Sequence, residues 1–177
     1  MSSTQPQLLQ IPLDAGDVVY TPDWVARDMV EYFKPTGRIL ELCMGDGAFM
    51  RHLPENTEWC EIERGRDFFA WHEPVDWIIG NPPYAMYSAW LEHSMNITNN
   101  LVYLLPVNKA FNSWAMINRV NDWGGIAAVR CYGPGARLGF PIGYAIGAIH
   151  YQKDYRGDIR FTIAEHSTSE PLRPPSE

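Results

Sequence analysis

The segment Val75-Asp76-Trp77-Ile78-Ile79-Gly80-Asn81-Pro82-Pro83-Tyr84 constrains this chain more than any other. Its apolar run reads as a buried strand that stops at a glycine. Two consecutive prolines then fix φ twice and remove two backbone donors, so the strand ends and the loop after it is stiff. Further apolar runs at 38–43, 59–62, 101–105 and 125–132 read as strands of one sheet. Segments with helical spacing lie between them. Val25, Met29, Val30 and Phe33 share a face behind Pro22-Asp23, a helical start is expected over 48–53, and helices are expected around 87–95 and 110–121. Runs at 145–151 and 159–164 read as two closing strands paired through the turn-like segment 153–158. Strands alternating with helices predict an α/β fold: a Rossmann-like, doubly wound, mostly parallel sheet with an antiparallel closing hairpin. Ligands of such sheets sit beyond the carboxyl ends of the strands, where the loops after Cys43 and Gly80 both fall.

A chain of 177 residues with 46% hydrophobic content suits one domain. We place that domain at 13–165, with a loose, Gln-rich N-terminus over 1–12 and a disordered Ser/Pro/Glu-rich tail over 166–177. No run approaches the ~18 apolar residues of a membrane span, and the first residues lack a signal-peptide pattern. Cys43, Cys60 and Cys131 are an odd, widely spaced set without metal-ligand spacing. They read as buried free thiols in a reducing compartment, so a cytoplasmic location and no metal are expected. Net charge is −7, which argues against a protein that coats nucleic acid. Its distribution is uneven: residues 1–107 hold 6 Lys/Arg against 15 Asp/Glu, while 108–160 hold 7 basic residues against 3 acidic ones. That second region is either a docking surface for a polyanion or a solvated face of scattered charges.

Asn81-Pro82-Pro83-Tyr84 at a strand end has the chemistry to hold an amino nitrogen for methylation. The rigid backbone presents the Asn81 side-chain oxygen and a nearby carbonyl as two fixed acceptors, one for each hydrogen of an exocyclic NH2. Tyr84 offers a face on which a planar base stacks. Upstream, Glu41-Leu42-Cys43-Met44-Gly45-Asp46-Gly47-Ala48-Phe49 runs from strand to helical start. Gly45 and Gly47 permit a sharp turn and close approach to a ligand. The loop lacks the third glycine of a dinucleotide fingerprint and the Lys of a phosphate loop. Glu41 is placed either to meet a cationic ligand or to pair with Arg38. Glu61 is placed either to take two ribose hydroxyls or to sit on the surface beside Glu63 and Arg64. Asp67-Phe68 is either an adenine contact or an acidic turn beside a core aromatic.

Taken together, Tyr20-Thr21-Pro22, the Glu41–Phe49 loop, Glu61, Asp67-Phe68 and Asn81-Pro82-Pro83-Tyr84 resemble the S-adenosylmethionine-dependent amino-methyltransferases. Within them the chain is similar to the DNA adenine-N6 methyltransferases of gamma-like motif order and compact, phage-type form. The likeness covers residues 17–151. It implies the class I methyltransferase version of the sheet and S-adenosylmethionine as cofactor. It also implies roles for residues. Tyr20, Thr21 and Pro22 would border the methionine end, and Glu41, Cys43, Gly45, Gly47 and Phe49 would cradle it. Glu61 would bind the ribose, and Asp67 with Phe68 the adenine. Asn81 and the Pro82 carbonyl would hold the target amine beside the cofactor, Pro83 would stiffen the loop, and Tyr84 would stack on the flipped base. Lys109, Arg130, Arg137 and Phe140 would contact DNA, the expected partner.

Two departures stand out. Only five residues separate Glu61 from Asp67, where the family has a helix and another strand. No target-recognition domain is expected after the closing strands, so specificity falls to loops, a homodimer or a separate specificity partner. Protection of DNA from restriction is the biological role the resemblance implies. Three rival readings stay open: a protein-glutamine methyltransferase of the release-factor type, an RNA adenine-N6 methyltransferase, and a catalytically silent binding subunit.

Overall fold

The structure, a computed structural model, describes residues 19–141 and 143–165. The termini expected to be loose at 1–12 and disordered at 166–177 lie outside the described residues. Helix α1 (Asp23–Phe33) opens behind Pro22, whose carbonyl accepts from the N–H groups of Val25 and Ala26 at 3.0 and 3.1 Å. Asp23 in the first turn faces the positive end of the helix dipole. Val25, Ala26, Met29 and Phe33 are its buried stripe, and Lys34 ends it in a left-handed conformation just before Pro35.

Seven strands make one sheet: β1 (Ile39–Glu41), β2 (Glu58–Trp59), β3 (Val75–Gly80), β4 (Thr98–Pro106), β5 (Gly124–Pro134), β6 (Ala145–Lys153) and β7 (Arg160–Ile163). Their order is β2-β1-β3-β4-β6-β5-β7. Strands β2, β1, β3 and β4 are parallel, β6 is antiparallel to both β4 and β5, and β7 is parallel to β5. Helices α2 (Tyr87–Ile97) and α3 (Trp114–Trp123) cover one face, and α1 packs on the other. Along β4, Leu101, Tyr103 and Leu105 point into the first layer, and Val102 and Leu104 into the second. Burial on both faces is why this strand reads as an unbroken apolar run. Buried tyrosines are satisfied inside the first layer. The Tyr103 hydroxyl donates to the Trp90 carbonyl at 3.0 Å, and the Tyr87 and Tyr151 hydroxyls meet at 2.6 Å.

Four expectations are corrected. The closing strands at 145–151 and 159–164 do not pair with each other. Both edges of β6 are taken, by β4 and β5, so the chain passes the start of β5 to reach its far side. Arg156 pins that crossing by donating to the carbonyls of Asn121 and Gly124 at 2.6 and 2.5 Å. The antiparallel hairpin is therefore β5–β6. The helical start at 48–53 forms only turns, because Pro54 lacks an N–H and disfavours helix at the residue before it. The helix expected at 110–121 begins at Trp114, where the Ser113 hydroxyl accepts from the Met116 N–H, and a single 3₁₀ turn (Val107–Ala110) precedes it. The strand expected at 59–62 shortens to β2, and Glu61 instead bridges Arg66 across a tight reverse turn.

Arg130, expected on a nucleic-acid face, is spent on the fold. Its guanidinium donates twice to Asp28 of α1, at 2.5 and 2.7 Å, and lies over the Tyr32 ring at 4.3 Å. The Tyr132 hydroxyl donates to the same carboxylate at 2.8 Å. The Asp28 carboxylate beside it pushes Arg130 further into its charged form. Asp28→Ala should leave a largely buried guanidinium and a hydroxyl without their acceptor. We expect a loss of about 3 kcal/mol, the scale for breaking a buried ion pair, read as a lower urea midpoint with unchanged slope.

Candidate active site

Strand order reverses between β1 and β3: the chain leaves β1 for β2 on one side and returns to β3 on the other. Loops from the carboxyl ends of these two neighbours meet over the crevice. After β1 the backbone turns through Gly45 (φ 53°) and Gly47 (φ 85°), conformations that favour glycine. The Gly47 N–H donates to the Met44 carbonyl at 2.8 Å, and the Ala48 N–H to the Asp46 carboxylate at 3.2 Å. Val19, Tyr20, Thr21, Cys43, Gly45, Phe49 and Asn81 line a cleft here together with Met44, Asp46 and Ala48. The cleft is small and opens to solvent. Six residues expected from the sequence thus converge. Val19, Met44, Asp46 and Ala48 were missed, although each is adjacent in sequence to an expected residue.

Asn81 is oriented from the opposite side of the cleft. Its amide nitrogen donates to the Val19 carbonyl at 3.1 Å and to the Thr21 hydroxyl at 3.2 Å. Both amide hydrogens are thereby used, which leaves the side-chain oxygen as the free acceptor. The Asn81 backbone carbonyl accepts from the Cys43 thiol at 2.9 Å, a direct tie between the two loops. Burial raises that thiol well above its ordinary pKa, which keeps it a donor.

Glu41 does not pair with Arg38, whose guanidinium is held by Glu58 and Glu73. It is fully buried. One oxygen accepts from the Cys43 N–H at 3.2 Å, and the other has no partner among the described residues. Burial raises the carboxyl to about 8; the Cys43 N–H offsets this in part, and the charges of Glu61 and Asp46 add to it. A Cβ on Gly80 would come within 2.8 Å of the Glu41 carboxylate and of the Leu42 side chain, so a larger residue before Asn81 would displace both.

At the second strand, Glu61 accepts from the Gly45 N–H at 2.7 Å and from the Glu63 N–H at 3.3 Å. A carboxylate has about four acceptor positions, so room for hydroxyl donors remains. The reverse turn after Glu61 brings Asp67 nearby. The Asp67 carboxylate caps the next turn through the Phe69 N–H at 3.0 Å. Phe68 is 2% exposed and stacked on Trp90, with ring centroids 4.7 Å apart. It is a core residue here, without an open face for adenine.

The other expected contacts differ in exposure. Phe140 is 3% exposed and packs in the α1 layer. Lys109 donates to the Tyr84 carbonyl at 3.3 Å, and Arg137 is exposed in the turn Gly135–Leu138. Pro82 is buried and Pro83 half-buried. Tyr84 packs against both core layers, and its enclosed hydroxyl has no partner among the described residues. Burial pushes its pKa up. Among the described residues no group of His, Cys, Asp and Glu is arranged to hold a metal. No described helix is long and apolar enough to cross a membrane.

No protein-family model matches the chain, and no curated protein sequence matches it. Solved structures do. The methyltransferase subunit of a type I restriction-modification system from Streptococcus thermophilus superposes with a TM-score of 0.63 at 16% identity, over 85% of this chain and 48% of that one. A Listeria monocytogenes protein described as a class I S-adenosylmethionine-dependent methyltransferase gives 0.59 at 12% identity, over 89% and 69%. A DrdV–DNA complex gives 0.54 at 13% identity, over 82% and 27%. The fold is therefore that of the Rossmann-like class I methyltransferases. The chain spans about half the length of the type I subunit it matches.

Tyr84→Phe should raise stability by about 1 kcal/mol, since it removes a buried hydroxyl that has no partner and keeps the ring. Thermal melts of the two proteins check this; an unchanged or lower midpoint would show that the hydroxyl is satisfied in solution.

Proposed function

We propose that the protein transfers a methyl group from S-adenosylmethionine to the exocyclic N6 amine of adenine in DNA. The observation that carries this reading is the anchorage of Asn81. With its NH2 held by Val19 and Thr21, its side-chain oxygen is left as a fixed acceptor beside the glycine-loop cleft. The residues present fit the cofactor. Gly45 and Gly47 clear a cradle, Glu61 lies beside it, and Glu41 is a buried carboxyl with one unpartnered oxygen, suited to a cationic amino acid end. When bound, the cofactor supplies an electrophilic methyl on sulfur.

The chain's part is to bind, orient and exclude water. Asn81 and the Pro82 carbonyl accept the two amine hydrogens, which draws the nitrogen lone pair out of the ring and aims it at the methyl. The amine nitrogen would take the methyl as its bond to the donor sulfur breaks, and the surplus amine proton would leave to solvent. Proximity and alignment account for much of the rate. Tyr84 stacks on the base after turning out of its inward packing, which its unsatisfied hydroxyl disfavours. DNA as the substrate rests on the motif resemblance and on the fold shared with type I modification subunits and with DrdV in its DNA complex. A role in restriction protection follows from the same likeness.

Asn81→Ala should lower methyl transfer by about 10²–10³-fold, the scale for losing one preorganised polar contact at a reacting centre. Cofactor affinity should hardly change. Labelled cofactor with DNA, RNA and release factor in parallel reads the activity and its substrate; near-wild-type turnover by the variant would overturn the mechanism.

Glu41 makes cofactor binding depend on pH. Its carboxyl holds a proton up to about 8, and a cationic ligand favours the ionised form, so binding below that pH releases a proton. Affinity for S-adenosylhomocysteine should climb from pH 6 to 8, by at most about tenfold per unit. Calorimetry in buffers of different ionisation heat should detect the released proton. Glu41→Gln should flatten both effects, and a wild-type affinity flat across this range would remove Glu41 from the site.

A further inference from the structure

We propose that Phe111, Trp114 and Tyr144 form a stacking platform for unpaired bases beside the target, and that the substrate is single-stranded DNA. This rests on the methyltransferase reading and specifies its substrate. The three side chains are 46, 75 and 62% exposed, and none packs against another aromatic ring among the described residues. All three lie on the rim that carries Asn81. Strands β4 and β5 run parallel to β3, so the residues after Pro106 and after Pro134 emerge at the same end of the sheet. The rim is continuous. Lys109 holds the Tyr84 carbonyl at 3.3 Å. Val107 packs on Gly147 near the start of β6, its methyl 2.9 Å from where a Cβ on that glycine would lie. The Tyr144 carbonyl accepts from the Gly135 N–H at 2.9 Å, which ties that loop to the turn bearing Arg137.

The charges decide between duplex and single strand. Lys109 and Arg137 flank the aromatics and complement a phosphodiester backbone, but the other candidate cations are engaged or distant. Arg130 is bound to Asp28, and Lys153 and Arg156 lie at the opposite end of the sheet. Two phosphate contacts release few counterions, so electrostatics alone cannot grip a duplex. Exposed aromatic faces bind bases of any sequence, but only bases that are already unstacked from a partner strand. A duplex would also have to lose a stacked pair to deliver its adenine.

The test compares a labelled, adenine-containing single strand with the duplex of the same sequence, over a salt series. The single strand should bind at least about tenfold tighter, with a shallow salt slope near −1.4 for two phosphates. Trp114→Ala and Phe111→Ala should each weaken that binding by about five- to hundredfold, with unchanged melting temperature and cofactor affinity. Duplex binding equal to single-strand binding would overturn the proposal, as would unchanged affinity in both variants. A dimer in sedimentation that Trp114→Ala dissolves, without oligonucleotide binding, would assign the face to a second copy of the chain. Binding is read separately from transfer. Tight single-strand binding without methylation of any adenine would sink the proposed activity alone, and methylation of duplex without single-strand preference would sink the platform alone.

Discussion

Two parallel strands end side by side, and everything at the site depends on how closely they do so. Glu41 closes β1 and is in register with Ile79, so its side chain lies against Gly80. Glycine there lets a carboxyl fit between two main chains, and the Cys43 thiol completes the join on the Asn81 carbonyl. The loops after β1 and β3 are thereby tied to each other. The burial that results is what raises the Glu41 carboxyl. The same contact sets loop spacing and charge state, so neither can be altered alone.

The strap formed by Val19, Tyr20 and Thr21 is the third part. It precedes α1 and reaches across the cleft to take both amide hydrogens of Asn81, some sixty residues away in sequence. An asparagine without this anchorage would rotate, and its oxygen and nitrogen would exchange places in front of a target amine. Thr21 therefore acts on Asn81 as well as bordering the cleft.

Strand ends, glycines and prolines act locally, which is why the two loops and the alternating α/β order were legible in the sequence. The features that were not legible depend on partners distant in the chain. Arg130 looked like a free cation because its acceptor, Asp28, lies 102 residues upstream. Phe68 is inward because Trp90 offers it a parallel ring, and nothing near Asp67 announces that partner. The pairing of β7 with β5 was hidden for a related reason. Adjacency in sequence favours a hairpin, yet β6 had no free edge left to offer. Tyr84 was read from its motif as an outward face, whereas its packing is settled by both core layers at once.

The shortened edge of the sheet has a consequence for the open end of the site. Residues 62–65 form the tight turn between Glu61 and Arg66, with Gly65 in the left-handed region at φ 73° to close it. Glu61 follows the edge strand β2, and it already grips the glycine loop through Gly45. Ile62, next in the chain, is 62% exposed rather than covered by a further strand. The methionine end of a bound cofactor would be enclosed by the strap and both loops, while its adenine end would lie against a shallow, partly apolar edge. Under the proposed function, affinity would concentrate at the end nearest the chemistry, with the energetic weight on Glu41 and the glycine loop, where burial and close backbone approach make each contact most sensitive to geometry.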